Sequence, residues 1–145
     1  MQREVAEFVI YIINEIANQR GCSTADVYQA LRRVHAIEDY LAPCYDVLHT
    51  MSSQQVAKET LAYAQQRDTA LQGGAMNEAT LENIYREHLE ESIIFCLSER
   101  RNISFEEAID LYYNSTLANQ IYKGVEGIQY LDYKLLSTYL EQELA

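Results

Sequence analysis

The chain has 145 residues, 48% of them hydrophobic, with one Pro, five Gly and a formal net charge of −11. That apolar content argues against a disordered chain, and the scarcity of breakers disfavours a many-turned β architecture. The negative charge repels phosphate, which argues against nucleic acid and anionic membrane as partners and in favour of a basic protein.

The charge is unevenly spread: six cations face nine anions in residues 1–72, and five face thirteen in residues 73–145. Cys22, Cys44 and Cys96 are an odd, widely spaced set with no CxxC. Reduced thiols and a cytoplasmic location are expected from that usage. The run FVIYII (8–13) is too short for a membrane span, and Glu4 and Glu7 before it are unlike a signal peptide.

In chain order, Val5, Phe8, Val9, Ile12 and Ile16 recur at helical spacing. Ile10, Tyr11 and Ile13 widen this apolar face, so the helix is expected to be central or covered by a second copy. CSTADVYQALRR predicts a second helix with Ser23 as N-cap, Asp26 at the third position, and Val27, Ala30, Leu31 and Val34 inward. AIEDYLAPCYDVLHT predicts two short helical turns broken at Pro43. SSQQVAKETLAYAQQRDTAL predicts another helix with Val56, Thr60, Leu61 and Ala64 inward, and QGGAMN (72–77) predicts a linker.

The second half repeats this order. Residues 78–101 predict a long helix with Leu81, Ile84, Tyr85, Leu89, Ile93, Cys96 and Leu97 inward. NISFEEAIDLYYNS predicts a capped helix, with Ser104 as N-cap and Glu107 as capping-box partner. Ser104 follows Ser23 by 81 positions, whereas VIYII (9–13) matches IIFCL (93–97) at 84, which predicts a shorter loop in the second copy. The fold class expected is all-α: a multi-helix bundle of two similar helical units, residues 1–71 and 78–145. Each unit alone would have a marginal core, so packing as one pseudo-symmetric domain is expected.

Chemistry is sparse. Asp46 and His49 lie three apart on a short helix, where Asp46 could orient the imidazole. No nucleophile elbow or Gly-rich segment accompanies them, and the corresponding Gly127 and Tyr130 form no such pair. A helix end with two polar groups, His49 and Thr50 closing it and capping the next, is the preferred reading. The histidines and cysteines are scattered singly, so no metal site is expected, and His88 reads as a satisfied, partly buried residue. No cofactor is expected, since QGGAM lacks the Lys and Ser/Thr of a phosphate loop. Adjacent carboxylates such as Glu90–Glu91 read as a solvated face. Glu87 and Glu91 share a helix face as like charges, a strain that a cationic partner would relieve. Tyr112 and Tyr113 read equally as an exposed interface cluster or as rings wedged between helices.

The segment from Ser23 to Ala64 resembles an uncharacterised family of short bacterial all-helical proteins. The resemblance rests on S-x-x-D-V-Y (Ser23–Tyr28) and on Y-D-V-L-H-T (Tyr45–Thr50), and is strong over residues 5–65. NISFEEAIDLYYNS is similar to a related pattern in the same kind of protein. Pro43, Cys44 and the tandem arrangement depart from the short members. The family implies no established activity. Its genes neighbour those of ADP-ribosyltransferase-like proteins, which implies an antitoxin-like role.

The function expected is a non-enzymatic, acidic protein-binding module, partnered by a basic protein or an enzyme encoded nearby. The binding residues expected are Tyr45, Asp46, His49, Glu91, Tyr112 and Tyr113. The rivals are a small enzyme using Asp46 and His49 as an acid–base pair, and a structural homodimer joined through the apolar face of residues 5–16.

Overall fold

The computed structural model describes residues 1–67 and 81–145, and every regular element among them is helical. The expected linker at 72–77 lies outside the described residues. In chain order the helices are α1 (Arg3–Arg20), α2 (Thr24–Arg33), α3 (Tyr45–Leu48), α4 (Ser53–Gln65), α5 (Leu81–Arg101), α6 (Phe105–Tyr113), α7 (Thr116–Lys123) and α8 (Tyr133–Leu144). A π-helical turn, Ile37–Leu41, precedes α3, and a 3₁₀ segment, Val125–Tyr130, precedes α8.

The helix ends follow from local chemistry. Ser23, Ser52, Ser104 and Ser115 each accept a backbone N–H of the first turn, from Asp26, Gln55, Glu107 and Ala118 respectively. The cap of α4 is therefore Ser52, not Thr50, whose hydroxyl instead donates to the Val47 carbonyl at 2.7 Å. Gly21 closes α1 in the left-handed conformation (φ 66°), and the N–H groups of Gly21 and Cys22 both reach the Ala17 carbonyl. Pro43, which has no N–H, sits where the π turn ends and α3 begins.

The core is contiguous across both halves. α1 lies against α2 and α4, α5 lies against α6 and α8, and α1 and α5 lie against each other. Val9, Ile10, Ile12, Ile13 and Ile16 are buried within this one chain. These five positions are covered because α5, α2 and α4 surround α1, whereas Tyr11 on the same helix stays exposed. Gly21 and Asn102 occupy corresponding places after α1 and α5, and both have positive φ. The loops that follow, 21–23 and 102–104, have equal length. The shorter second loop expected from VIYII and IIFCL is therefore absent. That alignment matched apolar composition, whereas the caps set the register.

Candidate partner-binding groove

A surface groove of about 510 Å³ lies between α1, α3 and α5. Glu4, Glu7, Phe8 and Tyr11 line it from α1; Ile84, Glu87, His88 and Glu91 line it from α5. Both sets follow i, i+3, i+4, i+7 spacing, which puts four residues on one helix face. Tyr45 and His49 close the third side.

Three of the expected binding residues, Tyr45, His49 and Glu91, meet here. Asp46 is exposed beside the groove and is not part of its lining. The Tyr45 ring meets Phe8 edge-on at 5.5 Å and stacks on His49 at 4.4 Å. His49 is exposed, and its Nδ1–H donates to the Tyr45 carbonyl at 2.6 Å. The acceptor that orients the imidazole is thus a backbone carbonyl, in the place the acid–base reading assigned to Asp46. Among the described residues no cluster of three or more His, Cys, Asp or Glu could hold a metal ion.

The groove is strongly acidic. Partial burial and the nearby Glu91, Glu15 and Glu90 push the Glu87 carboxyl up to about 7. Burial and Glu7 raise Glu91, while His88 and Arg3 oppose that shift. Arg3 is engaged by Glu7 at 3.2 Å and sits over the Phe95 ring at 4.4 Å. Apolar side chains stand open beside the carboxylates: Tyr11 is 42% exposed and Ile84 45%.

Several expectations fail at α5 and α6. Ile84 and Tyr85 are exposed rather than inward, because the start of α5 faces the groove and the Tyr130 ring instead of the core. His88 is exposed too. Tyr112 and Tyr113, expected as candidate binding residues, are 0% and 2% exposed and cannot contact a partner. Glu90 is 3% exposed, so the Glu90–Glu91 pair is not a solvated face. Its neighbours explain why it is tolerated. Asn14 Nδ2 and the Tyr113 hydroxyl donate to Oε1 at 3.0 and 3.1 Å. The Thr24 and Tyr112 hydroxyls donate to Oε2 at 2.6 and 3.2 Å. Burial raises the Glu90 pKa, and the four hydrogen bonds pull against that. Helical rotation does the sorting: Glu90 points into the core while Glu91, about 100° round, faces the groove.

Sequence reasoning found the Glu87–Glu91 repulsion but missed Glu4, Glu7, Phe8, Tyr11 and Ile84. The signal available was the i, i+3, i+4, i+7 mixture of acid and apolar residues on both long helices.

Residues 7–64, from α1 to the end of α4, match the model of a family described as a protein of unknown function, DUF3791. This first unit is similar to an uncharacterised domain family, and the matched segment contains Tyr45, Asp46 and His49. No curated protein and no solved structure matches the chain.

Proposed function

We propose that this protein is a non-enzymatic binding module for another protein, with the α1–α3–α5 groove as its contact surface. The observation that carries this reading is the groove itself, which sets four carboxylates beside exposed Tyr11 and Ile84. Exposed aromatic and aliphatic side chains beside crowded like charge suit a protein interface. The catalytic rival rests on the open His49 ring in the same groove, and it lacks an adjacent nucleophile.

The resemblance of Ser23–Ala64 to a family encoded beside ADP-ribosyltransferase-like genes favours an antitoxin-like role, with the neighbouring enzyme as partner. A cytoplasmic setting suits three unpaired cysteines. No helix among the described residues is long and apolar enough to cross a membrane. An internal duplication accounts for the matched packing of α1–α2–α4 and α5–α6–α8, and for the Gly21/Asn102 and Ser23/Ser104 correspondences. The second unit would then supply Glu87 and Glu91, which the short single-unit relatives lack.

The test is capture of partners from the host lysate by the tagged protein, beside its Tyr11→Ser/Ile84→Ser variant. One stoichiometric partner, lost with the variant, supports the reading. A partner retained in full by the variant removes the groove as its site. Turnover of a screened substrate, abolished by His49→Gln, would favour the enzyme instead.

A further inference from the structure

The groove's physical character selects among possible occupants. Its charged wall holds Glu4 and Glu7 from α1 and Glu87 and Glu91 from α5. Glu15 and the buried Glu90 add to the negative potential at Glu87. The cationic groups nearby are few and engaged. Arg3 is held by Glu7 and Phe95, and Arg86 turns to the Tyr122 ring and carbonyl. His49 and His88 are the imidazoles facing the same space. An occupant must therefore bring positive charge. It must also bring apolar surface, because the exposed Tyr11 and Ile84 line the groove with the carboxylates.

Resting on the protein-binding reading above, we propose that the occupant is an arginine-bearing amphipathic segment of the partner, seated between the α1 and α5 carboxylates. Guanidinium is suited to such a site, since it pairs with carboxylates and stacks on aromatic faces. The chain itself packs Arg67 on Tyr63 and Arg3 on Phe95 in this way. The like-charge crowding that burial worsens in the empty groove is relieved when a cation enters. Proton and cation thus compete for the same carboxylates. With the Glu87 carboxyl near pH 7 in the free protein, about a tenth of the groove is competent at pH 6 and about nine tenths at pH 8.

The probe is a fluorescein-labelled helical peptide with leucines on one face and arginines on both flanks, titrated by anisotropy. The background is His49→Gln/His88→Gln, so that neither imidazole contributes to the pH response. Binding about ten-fold tighter at pH 8 than at pH 6 is expected. In Glu87→Gln that ratio should fall to near one, and Glu7→Gln/Glu91→Gln should weaken binding at both pH values. Equal binding of a peptide with glutamate in place of arginine overturns the proposal. So does unchanged affinity in the Glu7→Gln/Glu91→Gln variant, or displacement of the peptide by spermine at equal concentration, which would mark a small-cation site. If the lysate partner is lost with Tyr11→Ser/Ile84→Ser yet binds independently of salt and pH, the binding reading stands and this inference fails.

Discussion

The Thr24 hydroxyl donates to Glu90 Oε2 at 2.6 Å, joining the first turn of α2 to the middle of α5 across the two halves of the chain. With Asn14, Tyr112 and Tyr113 it completes a fully bonded carboxylate in an otherwise apolar core. Around it, Tyr28 stacks on Tyr113 at 5.1 Å and donates to Asp110 at 2.7 Å, and Arg32 pairs with the same carboxylate. α1 and α2 are thus registered against α5 and α6 by polar groups as well as by apolar packing.

Removing the hub tests this directly. Glu90→Ala leaves the buried Thr24, Tyr112 and Tyr113 hydroxyls without their acceptor, while Asn14 keeps the Ile10 carbonyl, and should destabilise by roughly 3–5 kcal/mol in urea denaturation. Glu90→Gln should cost only about 1–2 kcal/mol, because the Thr24 and Tyr112 hydroxyls can turn to accept from its amide. Equal losses in the two variants would show that shape, not bonding, is what Glu90 supplies.

Thr60 carries the opposite error. It is fully buried in α4, and its Oγ1 has no hydrogen-bond partner. Thr60→Val keeps the side-chain shape and removes the unpaired hydroxyl, so a gain of about 1 kcal/mol is expected. A melting temperature below that of the parent would contradict this.

Stability should also depend on pH through the crowded acids. Glu87 has a folded pKa raised to about 7 from 4.5, and Glu90 is raised as well. The folded state therefore holds these protons more tightly than the unfolded chain. That contribution is complete below pH 4.5 and is lost as pH rises through about 7. Urea midpoints should fall between those limits, and Glu87→Gln should flatten the slope.

Gly124 closes α7 at φ 66°, where an added Cβ would stand 3.1 Å from the Gln129 amide. Gly124→Ala combines left-handed strain with that contact and should cost about 1–2 kcal/mol. Ser104→Ala, which deletes the α6 cap, should cost about 1 kcal/mol. Thermal melts of both variants check these values, and Gly124→Ala melting at the parent temperature would mean the 3₁₀ segment can shift.

The long helices, the Ser23 and Ser104 caps and the break at Pro43 were legible because each depends on residues a few positions apart. Periodicity likewise marked α1 as a helix to be covered on more than one side. The Glu87–Glu91 crowding was visible for the same reason, since both lie on one helix face. At the start of α5 periodicity failed, because Ile84 and Tyr85 share the spacing of core residues but face the groove and the Tyr130 ring.

Composition and local spacing thus determined an acidic, all-helical chain with capped helices. Only the tertiary structure decided that Glu90 is buried and Glu91 open, that Tyr112 and Tyr113 are core residues, and that Tyr45, His49 and Glu91 share one groove. The donors to Glu90 come from Asn14 and Thr24, far away in the sequence, and no single helix records them. A carboxylate's environment is set by whatever packs against it, so its role appears only when α1, α2, α5 and α6 are assembled.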